Sequence, residues 1–142
     1  MKHRILIVDD SEEIHELYKK IIAKMNSLEL GLEFILDHCY QGEVAVLKVR
    51  ESHKSGSPYS FVMMDIRMPP GIDGIETIEK VQVDHPDTEF IVCTAFHKYD
   101  FKTLFQKFGA TDRILYVTKP YNPTTMKQLT LYICSKFERE NK

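Results

Sequence analysis

Five times along this chain a short apolar run stops abruptly, and apolar residues at helical spacing follow it. The runs are residues 4–8 (RILIV), 32–36 (LEFIL), 61–64 (FVMM), 89–95 (EFIVCTA) and 114–118 (ILYVT). Apolar stretches this short read as buried strands, because a helix needs ten or more residues to form a covered stripe. The third run is the most telling. In FVMMDIRMPPGIDG, four apolar residues end on one aspartate, Asp65, and the chain then breaks into a Pro-Pro-Gly loop. A carboxylate at the end of a core strand is costly unless something uses it.

The intervening segments read as helices. Ile14, Leu17, Tyr18, Ile21, Ile22 and Met25 form one stripe, with Asp10 or Ser11 as the N-cap. Residues 41 to about 52 form the second helix, although Val44, Val46 and Val49 favour a strand. Residues 74 to about 83 form the third, with Ile75, Ile78 and Val81 on one side. Phe101, Leu104, Phe105 and Phe108 mark the fourth as a core stripe, with Asp100 capping it and Gly109 just past its end. Asn122-Pro123 opens the fifth, whose stripe is Met126, Leu129, Ile133 and Phe137. Leu131 falls off that stripe, a sign that this helix meets another chain. Five strand–helix units in succession predict an α/β fold with a parallel sheet and helices on both faces, a doubly wound arrangement. The whole of 1–142 reads as one domain, its core at about 3–138 and residues 139–142 a tail or the start of a linker.

Composition excludes several classes. Lys+Arg number 19 against 21 Asp+Glu, a formal net charge of −2 without the basic footprint of a nucleic-acid binder. No apolar stretch is long enough to span a membrane, and the N-terminus lacks a secretion signal, which points to the cytoplasm. Cys39, Cys93 and Cys134 are odd in number and scattered, as expected of buried thiols in a reducing compartment. The six histidines, His3, His15, His38, His53, His85 and His97, show no metal spacing and are expected on the surface or in loops.

In a parallel sheet all strand C-termini share one edge. Asp9 and Asp10 follow the first strand, Asp65 the third, Thr94 ends the fourth and Lys119 follows the fifth, so these residues converge there. Clustered carboxylates repel unless a cation joins them, and a few hard oxygens suit Mg2+. Lys119 and Thr94 add a positive charge and a hydroxyl for an anion. Neither a P-loop nor a GxGxxG follows the first strand, so a small phosphoryl group fits better than a nucleotide.

The motifs ILIVDD, VMMDIRMP, VCTA and YVTKP, in this order, resemble the receiver domain of two-component response regulators, across essentially the whole chain. The resemblance implies a flavodoxin-like sheet of order 2-1-3-4-5. It implies that Asp65 is the phosphoacceptor, and that Mg2+ is bound by Asp10, Asp65, the backbone carbonyl of Arg67 and, through water, Asp9. Lys119 and Thr94 would contact the phosphoryl oxygens, Thr94 and Tyr116 would form the switch, and the Lys119–Pro120 bond would be cis. The implied donor is a histidine kinase or histidine phosphotransfer protein. Homodimerisation through the fourth helix, fifth strand and fifth helix is a further possibility of the family.

MPPGIDG is one residue longer than the commoner family form MPxMDG, and residues 24–33, 52–60 and 109–116 also look extended. Such loops suggest a receiver attached to an effector or sensor domain in a longer chain. Two alternatives stay open: a degenerate receiver that serves only as an interaction module, and a Mg2+-dependent phosphatase of another α/β family. Such phosphatases usually place a second aspartate two residues after the nucleophile, where this chain has Arg67. No external-substrate enzyme is expected, only self-catalysed phosphorylation and dephosphorylation.

Overall fold

A computed structural model describes residues 1–95, 101–119 and 122–141; of Thr94 it describes the backbone alone. Along them strands and helices alternate: β1 (Lys2–Val8), α1 (Glu12–Ser27), β2 (Glu33–Cys39), α2 (Gly42–Lys54), β3 (Phe61–Met64), α3 (Gly74–Asp84), β4 (Phe90–Thr94), α4 (Phe101–Phe108), β5 (Ile114–Thr118) and α5 (Pro123–Glu140). The strands pair in parallel, as the alternation of runs predicts, and in the order β2-β1-β3-β4-β5, the flavodoxin-like order that the family resemblance implies. The chain starts near the middle of the sheet and winds outward both ways, so the winding reverses between β1 and β3.

Strand side chains alternate between the faces, and this splits the core in two. Ile5, Ile7, Phe61, Met63, Ile91 and Cys93 pack against Tyr18, Ile21, Ile22 and Met25 of α1 and Met126, Ile133 and Cys134 of α5. Leu6, Val8, Val62, Met64, Phe90 and Val92 meet Val46 and Val49 of α2, Ile75, Ile78 and Val81 of α3, and Leu104 of α4. Because both faces are covered, the central strands are continuously apolar rather than alternating. Burial of Ala45, Val46 and Val49 also explains why α2 is helical despite its valines. Asn122 caps α5 as predicted, its side-chain oxygen accepting the N–H groups of Thr124 and Thr125.

Three expectations need correction. The α4 aromatics are not a core stripe: Phe101 and Phe105 are 70% and 51% exposed and stack on each other, while Leu104 alone is buried and Phe108 is half-buried. Only the Leu104–Phe108 edge of the stripe meets the core, and among the described residues nothing covers the edge that carries Phe101 and Phe105. Leu131 is half-buried against the α1–α5 core, so it gives no sign of another chain; the exposed residue there is Tyr132. The histidines are not uniformly superficial, since His3 and His15 are 1% and 0% exposed. His97, the Asp100 cap and the Lys119–Pro120 bond lie outside the described residues.

Polar groups brace the sheet's N-terminal edge. His3 lies on the Ile5–Ile7 face, its Nε2–H donating to the Glu138 carboxylate and its Nδ1 sharing a hydrogen bond with the Ser60 hydroxyl, both at 2.6 Å. Glu89, just before β4, is buried with Lys136 of α5 at 3.0 Å and Arg113 at 2.9 Å. Lys136 also donates to the Asp112 carbonyl. Burial raises the Glu89 carboxyl above its usual range although both cations pull it down.

Candidate functional site

The backbone ladder builds the site. Asp65 donates its N–H to the Val8 carbonyl (2.9 Å), carrying the β1–β3 pairing one residue past the strands and setting Asp65 beside Asp9. Gly74, at the start of α3, closes the turn that follows, its N–H donating to Ile66 (2.7 Å). A Cβ on Gly74 would lie 2.1 Å from the Asp65 carbonyl oxygen, so only glycine lets α3 begin this close to the strand end. Asp73 caps that helix by accepting the Glu76 N–H, and Glu43 of α2 pins the loop by accepting from Ile72 N–H (2.9 Å).

Carboxylate oxygens of Asp9, Asp10 and Asp65 all lie within 4.8 Å of one another; Asp9 and Asp65 are buried and Asp10 is exposed. Lys119 reaches in from β5, its Nζ 2.6 Å from Asp9 Oδ2 and 3.7 Å from Asp65 Oδ1. Asp9 Oδ1 accepts the Ser11 N–H, and Asp65 Oδ1 the Ile66 N–H, each at 2.9 Å. Ser11 occupies the N-cap of α1, one of the two positions expected, but its side chain caps nothing and the Asp9 carboxylate holds its N–H instead. Burial first, and then the charge of Asp9, push the Asp65 carboxyl up to about 6; Lys119 opposes this and Asp10 adds to it. Three carboxylates against one ammonium leave about two negative charges in a poorly solvated cleft. Hard, anionic oxygens in small number suit a divalent cation such as Mg2+.

Of the residues singled out in the sequence, Asp9, Asp10, Asp65 and Lys119 are thus brought together. Arg67 is exposed in the loop after Asp65. The Thr94 backbone ends β4 paired with Thr118, and its side chain lies outside the described residues. Tyr116 is half-buried on β5 and lines an apolar groove of about 250 Å³ with Phe101, Leu104, Phe105 and Phe108. Sequence reasoning missed His15 and His38. His15 Nε2–H donates to the Asp9 carbonyl (2.8 Å), and its Nδ1 is 2.7 Å from His38 Nδ1. The signal was present: residues 15, 18, 22 and 25 recur at helical spacing, so His15 shares the buried face of α1.

Residues 5–130 match the response regulator receiver domain. The chain belongs to this family. Over 121 residues it is 32% identical to the chemotaxis protein CheY of Bacillus subtilis, covering 85% of this chain and 88% of that one. It is 34% identical over 116 residues to the response regulator GacA of Pseudomonas protegens, a match that takes in 82% of this chain. The chain spans about half the length of the GacA relatives it matches, 48% in that case. Among solved structures it resembles the response regulator TrrA of Thermotoga maritima in complex with Mg2+ and BeF (TM-score 0.69, 27% identity, 92% and 98% of the two chains). It shares the fold of a CheY-like receiver domain from Methanospirillum hungatei (TM-score 0.76, 21% identity, 99% and 100% covered). The protein is therefore a receiver domain with an acidic pocket of Asp9, Asp10 and Asp65. Among the described residues no helix is long and apolar enough to cross a membrane.

Proposed function

We propose that this chain is a phosphoacceptor receiver that takes a phosphoryl group from phosphohistidine, on a histidine kinase or histidine phosphotransfer protein, onto Asp65. The observation that carries this reading is the convergence of Asp65 with Asp9, Asp10 and Lys119 at one sheet edge. Asp10, Asp65, the Arg67 carbonyl and, through water, Asp9 would hold Mg2+, which would neutralise the pocket and the phosphoryl oxygens. An Asp65 carboxylate oxygen attacks phosphorus in line, the phosphorus–nitrogen bond breaks, and the imidazole leaves. Charge in the loose transition state spreads over the equatorial oxygens, where Lys119 and neighbouring backbone N–H groups stabilise it. Thr94 would then move toward the phosphoryl group and Tyr116 into the space behind it, altering the α4–β5–α5 face. Exposed Phe101, Phe105 and Tyr132 would make that face a site for effectors or a second copy. Residues 1–142 would act as one domain, in the cytoplasm.

Intact-mass spectrometry after incubation with acetyl phosphate tests the reading. One phosphoryl group should be gained with Mg2+, none without it, and none by Asp65→Asn. If wild type stays unmodified and also fails to bind beryllofluoride, the reading gives way to the interaction-only alternative.

A further inference from the structure

We propose that His15 is a positioning residue for the metal-binding turn, holding the Asp9–Asp10 peptide in the orientation that a divalent cation requires. This rests on the metal-dependent reading of the pocket given above. A carbonyl oxygen only accepts hydrogen bonds, so the contact with Asp9 fixes a proton on His15 Nε2. In the neutral ring Nδ1 is then the acceptor, and the proton between the two histidines belongs to His38 Nδ1. From the other side the Tyr40 ring packs on His15 with centroids 4.3 Å apart, and its hydroxyl donates to Glu12 Oε2 at 2.7 Å.

Asp9 is consequently held at each of its polar groups. Its N–H donates to the Cys39 carbonyl of β2 (3.3 Å), its C=O accepts from His15, and its carboxylate takes Ser11 N–H and Lys119. Asp10 differs: among the described residues nothing hydrogen-bonds its exposed carboxylate. The direction of that carboxylate therefore comes from the backbone, and the peptide plane leading into it is the one His15 grips. Groups that orient a metal's ligands, without touching the metal, commonly change its affinity by about 10–100-fold when removed.

Mn2+ binding by the full chain, followed by electron paramagnetic resonance of the free ion and checked by Mg2+ competition, tests this. His15→Leu should weaken Mn2+ binding by about tenfold or more while urea unfolding stays cooperative. His15→Gln keeps an N–H donor near Nε2 and should bind within about threefold of wild type. In the metal-free proteins, hydrogen exchange at the Ser11 amide, whose N–H the Asp9 carboxylate accepts, should speed up in His15→Leu and not in His15→Gln. If His15→Leu fails to fold, His15→Asn replaces it, its amide being too short to reach the carbonyl. Equal Mn2+ affinity of wild type and the Leu or Asn variant, or a Gln variant no better than these, overturns the role of His15. A wild type that binds no Mn2+ overturns the metal-site reading itself, and this inference with it.

Discussion

Replacing Asp65 by asparagine should make the metal-free protein more stable at neutral pH. In the folded chain burial and the neighbouring carboxylates raise the Asp65 carboxyl from 3.8 to about 6. The folded state thus keeps its proton where the unfolded chain has lost it, and stability falls as pH rises from about 4 to about 6. About two pKa units at 1.36 kcal/mol each, trimmed for solvent on the open side of the pocket, amount to about 1–2 kcal/mol above that window. Asparagine has the same shape, carries no charge, and its side-chain oxygen can still accept the Ile66 N–H. Urea unfolding followed by circular dichroism in EDTA should therefore rank Asp65→Asn about 1–2 kcal/mol above wild type at pH 7.5. The two should be nearly equal at pH 3.5, where both side chains are neutral. Millimolar Mg2+ should stabilise wild type and narrow the gap at pH 7.5 by mass action. A gap that is absent at pH 7.5, or the same at both pH values, would refute the account of the pocket as electrostatically overloaded.

Other expectations follow from the same geometry. Gly74→Ala should cost about 1–3 kcal/mol in urea unfolding and slow acetyl-phosphate labelling, because the new methyl group meets the Asp65 backbone rather than a mobile side chain. The thiols of Cys39, Cys93 and Cys134 are buried, and burial pushes each up to about 12. Ellman's reagent should leave all of them unmodified in the native protein at pH 8 and titrate all of them in urea. Lys136→Met should cost about 3 kcal/mol by leaving Glu89 short of a partner, and the double variant with Glu89→Gln should lose less than the sum of the singles.

The parts of this molecule legible in its sequence are those where one residue has one reason to be there. Phe61 to Met64 form a run too short for a helix and too apolar for a surface, so Asp65 had to lie at a strand end. Asn122 and Pro123 each suit a single helix position and fixed the start of α5. Periodicity failed where the partner of a stripe decides its fate. Phe101 and Phe105 have the spacing of core residues, yet nothing among the described residues covers that side of α4. His3 and His15 failed for a different reason. Imidazole is polar enough to be assigned to solvent and becomes internal only when two groups far apart in sequence satisfy it, as Ser60 and Glu138 do for His3.

The bracing sits at the N-terminal edge of the sheet, opposite the carboxylate pocket. Glu89, Arg113, Lys136, His3 and Glu138 stand a full strand length from Asp65, about 13–20 Å at the usual rise per residue. Perturbations so far apart, with no shared partner, combine by simple addition. Resilience and reactivity in this receiver are therefore separately adjustable, and a lineage or an engineer could retune melting temperature at one pole of the sheet while the other keeps its chemistry.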